Sequence, residues 1–537
     1  MDSASDSAEP GQILRVLTLN VWGLKYISKL RVERIEAIAN RLANGIGGDE
    51  VLEHGDEQLR TRSRARAYDV VALQEIWCES TDWKMLKERV RHLYPYSKFF
   101  FTGAFGSGLA ILSAHPILHT QTHPYSLNGH PIHVHHGDWI VAKAAGCATL
   151  RVDKGGLGEV DVWVTHTVAA GGEDGPESSR AHRVSQAYQL ASLAKRSAQR
   201  SRHVICLGDF NSTPPSLSLA LLRDVGGLSD AFAVTHPDLP PGAVALINTP
   251  TDQSGPSSRS ARRSIEQLGV TCDSPLNTWT QGKEAKLDRN ARAGLGKRLD
   301  YILYRGPAAP SPSNTRSRVP DNFDSAASLS KDAFSSGQLE AKTCHVCWTE
   351  TLPDLQHVSY SDHFGLSASF HILSSDEAGA KATKDHPRST TQVAQSLTSA
   401  LQALSVSLHA SRASQKMHFQ FFFAALLVAF VLLFASPLAS GSGLLAALGR
   451  FGMTLFAVVT GAAGATMLYS SVIWGEWERR TILTLIESIS MELEHLRAGR
   501  SSTNLGRTAP AQVIEQEDEA QDTALDGEDD AERRPLL

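Results

Sequence analysis

His203–Pro214, HVICLGDFNSTP, runs from a short apolar segment straight into a carboxylate and an amide, Asp209 and Asn211, and then into Ser-Thr-Pro. Val204–Leu207 is the kind of apolar, β-branched run that a sheet buries on both faces. A polar pair at its end has an ordinary explanation, an Asx turn ahead of Pro214, and a sharper one, a site at a sheet edge. The same pattern recurs along the chain. Asn20 ends VLTLN, Glu75 ends VVALQE, His166 ends VWVTH, Asp300 sits in KRLDYIL, and Asp362 with His363 forms SDH just before FGLSASFHI. Taken singly, these residues read as a turn cap, a helix N-terminal acid or a satisfied core histidine. Taken together, they would gather several carboxylates at one edge, which costs on the order of several kcal/mol unless a cation neutralises them.

Around these ends the chain alternates strand and helix patterns. ILRVLTLN, DVVALQE, GLAILS, IVAKAAGCATLRV, VDVWVTHT, HVICLGDF, RLDYILY and FGLSASFHI read as strands, and KLRVERIEAIANRLA and SSRAHRVSQAYQLASLAKR as helices. Many strands follow one another without a helix, so the expected fold of residues 13–373 is an α/β sandwich: two mixed β-sheets with helices outside, more antiparallel than a Rossmann domain. Polar insertions near 252–263 and 307–338 read as loops outside the core. No internal repeat is visible.

The 537 residues exceed what one core organises, which points to a catalytic domain plus another element. A net charge of -5 gives no polyanion-binding signature, so nucleic acid is not the expected partner. Six scattered cysteines, and an N-terminus (1–12) that reads as disordered without a secretory pattern, point to a reducing, cytosol-facing environment. Cys344 and Cys347 form a CxxC with no second pair at metal spacing and read as strand residues.

The second element lies near the C-terminus. Phe419–Leu438, FQFFFAALLVAFVLLFASPL, is uncharged and long enough to span a hydrocarbon core, within a first transmembrane helix set at 417–438. A second apolar run, 451–474, contains Gly461 and Gly464 as small residues for close helix contact, so the two read as a transmembrane hairpin. Arg412 and Lys416 before it and Arg479 and Arg480 after it place both ends in the cytosol, against the weaker opposing sign of Arg450. The hairpin is flanked by a linker (374–388) and by amphipathic segments, 389–411 and 476–498. Val393, Leu397, Leu401, Leu404 and Leu408 recur at helical spacing, as do Ile482, Ile486, Ile489, Leu493 and Leu496, and the two stripes are expected to pack on each other. The acidic tail, 499–537, reads as disordered.

Carboxylate, amide and imidazole without cysteine suit a hard ion, Mg²⁺ first and Mn²⁺ next. Such a set suits phosphodiester hydrolysis, in which a histidine removes a proton from the attacking water.

LTLNVWGL, LQEIW, GSGLAILSAHPI, GDWIVAKAAGCATL, LGDFNSTP, LDYIL and SDHFGL resemble the endonuclease/exonuclease/phosphatase superfamily. GSGLAILSAHPI, GDWIVAKAAGCATL and the hairpin narrow the resemblance to the neutral sphingomyelinase and fungal inositol phosphosphingolipid phospholipase C branch. The resemblance implies a four-layer α/β sandwich and Mg²⁺-dependent release of ceramide from a membrane sphingolipid. It makes Glu75 the main metal ligand with Asn20 beside it, His363 the general base, and Asp362 an orienting residue or ligand. His166 and Asn211 would hydrogen-bond phosphate oxygens, Asp209 would position the water or a second ion, and Asp300 would hold an imidazole, His166. After His166 the chain departs from the pattern: HTVAAGGED has Val168 and a Gly-rich stretch where relatives carry a second polar residue and a longer lipid-facing loop. Trp22, Trp77 and Trp139 are candidate interfacial aromatics, with core packing as the ordinary alternative.

Two rivals stand beside this expectation. One is a phosphoinositide phosphatase or nuclease of the same superfamily, which would need a cationic pocket or a basic groove. The other is a membrane scaffold with a dead site, against which the intact set of polar residues argues. Head group, organelle (endoplasmic reticulum or mitochondrion), activation by an anionic phospholipid and self-association through the C-terminal helices are left open.

Overall fold

The computed structural model describes residues 12–45, 67–133, 137–169, 175–237, 258–283, 287, 291–292, 295–308, 337–374, 389–438, 441 and 443–504. The N-terminal 11 residues, the linker from 375, the tail from 505 and most of the two polar insertions lie outside them. The chain forms two compact units, Met1–Ser490 and Met491–Leu537. Of the second, only the end of one helix is described.

Two six-stranded sheets face each other. The first has the order β11-β12-β1-β2-β4-β3, from β1 (Ile13–Asn20), β2 (Val70–Gln74), β3 (Tyr96–Phe100), β4 (Leu109–Ser113), β11 (Gln338–Cys347) and β12 (Gly365–Leu373). The second is β5-β6-β7-β8-β10-β9, from β5 (Ile117–Pro124), β6 (Ala144–Val152), β7 (Gly158–His166), β8 (His203–Asp209), β9 (Ser229–Asp230) and β10 (Asp300–Arg305). Each sheet has one parallel pair at its centre, β1–β2 and β7–β8, with antiparallel neighbours outside. Cys344 and Cys347 both lie buried in β11.

Strand alternation assigns the faces. Leu14, Val16, Val70 and Ala72 pack with Val160, Val162, Val164, Ile205, Leu207 and Ile302 in the core between the sheets. The intervening Leu17, Leu19, Val71 and Leu73 pack outward with Ile35, Ile38 and Leu42 of α1 (Arg31–Ala43) and Leu86 of α2 (Lys84–Val90). Burial on both faces is why these strands read as continuous apolar runs. On the second sheet the long α3 (Glu177–Gln199) and α4 (Leu217–Asp224) complete the sandwich. Of the expected loop at 252–263, residues 252–257 lie outside those described. From Ser258 the chain forms α5 (Ser258–Leu268), which sends Ile265 into the inter-sheet core.

The register of β1 on β2 is pinned at the end opposite the candidate site. Asp69 accepts the Arg15 N–H at 2.8 Å and the Lys154 ammonium at 2.9 Å, while its own N–H donates to Arg15 O at 2.7 Å. A second anchor, the buried Thr18–Gln74 side-chain pair, lies further along.

The C-terminal region differs from its expected segmentation. The first amphipathic segment and the first apolar span are one 49-residue helix, α6 (Thr390–Leu438). α7 (Leu444–Leu468) continues through a π-helical turn, Tyr469–Gly475, into α8 (Glu476–Asn504). Both composite helices are long and apolar enough to cross a membrane. Of the two glycines expected at their contact, only Gly464 meets the other helix. A Cβ there would lie 3.1 Å from that of Ala425, whereas one on Gly461 would meet nothing. The stripe on the first half of α6 packs on α3 and α4 rather than being reserved for the second amphipathic segment. Leu397 and Leu404 are fully buried, and Ser396 donates to Asp224 at 2.6 Å.

Burial opposes the charge of Asp69, but the neighbouring His115, Lys154 and Arg15 N–H outweigh it and hold its pKa well below the usual carboxylate range. A depressed folded pKa contributes stability that is present above the unfolded value of about 4 and lost as pH falls toward the folded one. Asp69→Asn should therefore destabilise the protein by about 2 kcal/mol at pH 7 in urea unfolding. The gap from wild type should shrink as unfolding is repeated at successively lower pH below about 4.

Candidate active site

Alternation and register together deliver the polar residues to one place. Asn20 has the parity of Leu14 and Val16, His166 that of Val162 and Val164, Asp209 that of Ile205 and Leu207, and Asp300 that of Ile302, so all four face inward. Parallel pairing sets Asn20 opposite Gln74, next to Glu75, and His166 opposite Asp209. Antiparallel pairing sets Asp300 opposite Asp209. Because β12 runs antiparallel to β1 with Leu366 opposite Thr18, the SDH segment arrives beside Asn20. The apolar filling of the sandwich thus ends, at one edge, in amide, carboxylate and imidazole.

The backbone bends hard to present them. Trp22, Glu75 and Asn211 all have positive φ (47°, 60° and 43°), the left-handed region that non-glycine residues rarely occupy. Ahead of Asp209, Gly208 has φ 142°, and a Cβ there would lie 2.0 Å from Thr165 O. Only glycine lets β8 approach β7 closely enough for Asp209 to sit beside His166.

His363 Nδ1 lies 2.8 Å from Asp300 Oδ2, and its Nε2 faces Asp209 Oδ2 at 3.8 Å. Asp209, Asp300 and His363 offer ligand atoms all within 4.8 Å of one another. The Asn20 amide bridges the two halves, with Nδ2 3.1 Å from both Glu75 Oε1 and Asp209 Oδ2, while its Oδ1 accepts the Trp22 N–H at 3.0 Å. Asn211 donates its N–H to Asp209 Oδ1 at 2.9 Å and its side-chain amide to Thr167 O at 3.1 Å. Asp362 accepts from Ser361.

Burial raises Asp209 and Asp362 to about 6 each, with His363 pulling both the other way and Asp300 and Glu75 respectively adding to the rise. For His363, burial disfavours the charged form, but Cys272, Asp300 and Asp209 outweigh it and hold its pKa well above the ordinary histidine value. The cluster therefore carries more negative charge than its own groups satisfy. Two buried carboxylate oxygens, Glu75 Oε2 and Asp300 Oδ1, have no hydrogen-bond partner among the described residues. A hard divalent cation fits this donor set.

The imidazole held by Asp300 is His363 and not His166 as expected. His166 belongs to a buried lysine instead. Lys143 Nζ lies 3.0 and 2.9 Å from the two ring nitrogens, and Asp138 Oδ1 is 3.7 Å from the same ammonium. Burial first and then Lys143 keep the pKa of His166 well below its ordinary value. Lys143 escapes a reading built on polar residues at the ends of apolar runs. In GDWIVAK it precedes one. β6 is antiparallel to β7, with Ala145 opposite Thr165, so the start of β6 lies at the same edge as the end of β7. Of the three tryptophans, Trp139 is partly exposed, while Trp22 packs edge-on against Trp279 at 5.0 Å. Val168 is buried, and the Gly-rich residues 170–174 lie outside those described.

A second cluster, His130, His182 and Glu478, has the spacing of a metal site but not its hydrogen bonding. His182 Nδ1 accepts the Gly129 N–H at 2.9 Å, and His130 Nδ1 accepts the Trp474 indole N–H at 3.3 Å. Both partners can only donate, so each neutral imidazole carries its proton on Nε2, facing Glu478 Oε1 at 3.0 and 3.7 Å. With Ser411 donating to Glu478 Oε2 at 2.7 Å, the group is a clasp on a buried carboxylate that joins the start of α8 to α3 and to α6.

The family model described as Endonuclease/Exonuclease/phosphatase family matches residues 17–363. Inositol phosphosphingolipids phospholipase C of Schizosaccharomyces pombe is 31% identical over 366 residues, covering 68% of this chain and 70% of its own. The protein of that name from Saccharomyces cerevisiae is 31% identical over 388 residues, covering 70% and 68% respectively. Sphingomyelin phosphodiesterase 2 of Mus musculus is 35% identical over 229 residues, covering 42% of this chain and 47% of its own. The matched span opens inside β1 and closes at His363, enclosing the whole inward-facing cluster, and the chain belongs to the endonuclease/exonuclease/phosphatase family.

Proposed function

We propose that the chain is a divalent-cation-dependent phosphodiesterase of the phospholipase C type, cleaving a membrane sphingolipid into ceramide and a phosphorylated head group. The observation that carries this is the His363–Asp300 pair set, across Asp209, from the buried and unpartnered carboxylate oxygen of Glu75. The activities named for the relatives supply the substrate class, sphingomyelin or an inositol phosphosphingolipid.

Glu75, Asn20 and Asp362 would hold the cation, Mg²⁺ before Mn²⁺, which when bound neutralises charge growing on the phosphoryl oxygens. Asp300, accepting from Nδ1–H, leaves His363 Nε2 as the basic nitrogen, directed at Asp209. His363 is freed as a base only as the negative charge around it is neutralised; it then takes a proton from a water that Asp209 orients. His166, 3.5 Å from Asp209, with its neighbour Lys143 and with Asn211, would stabilise the phosphoryl oxygens as charge develops there. The two candidate spans would keep this site beside its substrate, raising the effective concentration of lipid without any new contact at the phosphate.

Head-group release from sphingomyelin and from an inositol phosphosphingolipid in mixed micelles tests the proposal. Wild type should release one of the two with Mg²⁺ and neither with EDTA, and His363→Ala should lose at least about 10³-fold in kcat. No release from either lipid while a divalent ion still binds would move the substrate to phosphoinositides or nucleic acid. Asp300→Asn, which keeps the shape but not the charge behind His363, should cost about 10²–10⁴ in kcat. Lys143→Met should cost about 10²–10³ in kcat with folding intact by circular dichroism, and an unchanged rate would remove Lys143 from phosphate stabilisation.

A further inference from the structure

Arg34 is fully buried in the first turn of α1, and among the described residues no ion pair holds it there; its hydrogen-bond acceptors among them are main-chain carbonyls. Its Nε donates to Lys29 O at 3.0 Å, Nη1 to Val21 O at 2.9 Å and Tyr360 O at 3.0 Å, and Nη2 to Trp22 O at 2.7 Å. The guanidinium carbon lies 4.7 Å from the ring centre of Trp22 and 5.7 Å from that of Trp279. Desolvating an arginine without a facing carboxylate is costly, and burial first, then the nearby Arg31, lower its pKa to about 10 against the pull of Asp362 and Glu75.

The segments it joins are those that carry the two halves of the cluster. Val21 and Trp22 directly follow Asn20, and Trp22 N–H orients the Asn20 amide. Val21 N–H and Gly23 N–H bond Gln74 O and Glu75 O, both at 2.9 Å, so this segment also carries the backbone of Glu75. Tyr360 directly precedes Ser361, Asp362 and His363. The far side of that turn is held by Asn277 to Ser361 O at 2.9 Å and by the Trp279 indole to Ser359 O at 3.0 Å. Among the described hydrogen bonds, Arg34 is the side chain that reaches both the Asn20–Glu75 side and the Asp362–His363 side through carbonyls.

We infer that Arg34 is a positioning residue: its planar fan of donors sets the separation between the cation-holding carboxylates and the base, and so tunes cation binding and turnover without touching substrate. This rests on the roles proposed above for Glu75, Asp362 and His363. A lysine keeps the charge but carries its three donors on a single nitrogen, which cannot serve four carbonyls spread around a plane.

The test compares full-length wild type, Arg34→Lys and Arg34→Ala in detergent, by equilibrium Mn²⁺ binding (loss of the free-ion electron paramagnetic resonance signal) and by head-group release. Arg34→Lys should bind Mn²⁺ at least about tenfold more weakly and lose at least about 10²-fold in kcat, with KM within about threefold and near-ultraviolet circular dichroism unchanged. Guanidinium at millimolar concentration, but not methylammonium, should restore at least about tenfold of the activity lost by Arg34→Ala. Wild-type Mn²⁺ affinity and kcat in Arg34→Lys would overturn the inference. So would losses that only follow the unfolded fraction. If wild type cleaves neither lipid, the functional proposal fails by itself, and the Mn²⁺ comparison still decides the role of Arg34.

Discussion

The structure depends on two parallel strand pairs packed face to face. A parallel pair brings two strand ends to the same edge, which an antiparallel hairpin does not do, and each sheet has one such pair at its centre. Since side chains alternate, the inward residue of the last pleat on β1, β7 and β8 cannot avoid the space between the sheets. Asn20, His166 and Asp209 occupy those positions, and the antiparallel neighbours β6, β10 and β12 add Lys143, Asp300 and His363 from their starts. The site is the place where the sandwich runs out of apolar residues with which to fill itself.

That placement is unfavourable on its own terms. Asp209 and Asp362 are pushed toward neutrality, His363 toward retaining its proton, and two carboxylate oxygens have no donor among the described residues. The same neighbourhood contains the left-handed Glu75, Asn211 and Trp22. Electrostatic and backbone strain coincide here because the adjoining strands β2 and β8, buried along their whole length, over-determine the positions of these residues. A site that is complete only with added positive charge explains why so much of the burial and register in the fold is spent on holding carboxylates close together.

Much of this was legible in the sequence, and the limits are instructive. Residues at the C-terminal ends of apolar runs, such as Asn20, Glu75, His166 and Asp209, announce themselves because the run ends in a side chain that no core would choose. Lys143 was invisible to that rule because it precedes its strand, and only the pairing of β6 with β7 shows that a strand start can lie at the same edge. Which imidazole Asp300 holds was equally beyond a linear reading. Asp209 stands in register between His166 and Asp300, and the choice is made by how β10 and the SDH turn meet across the sheet gap. Arg34 carries no signal of its role in the sequence, since its partners are main-chain carbonyls.

The C-terminal region shows a different limit, set by continuity rather than by partner choice. Hydropathy divides 389–438 into an amphipathic piece and an apolar piece, yet both have helical periodicity, and nothing between them breaks a helix, so the chain forms one. The distinction matters for the proposed tether. A flexible linker would raise the local concentration of lipid around the site and leave its orientation free. A helix that begins packed on α3 and α4, with Ser396 bonded to Asp224 and Ser411 bonded to a Glu478 that also meets His182, cannot swing freely at that junction. The apolar helices are therefore joined to the sandwich through buried polar contacts, and the proposed anchor would constrain how the sandwich faces the lipid as well as how close to it the site is held.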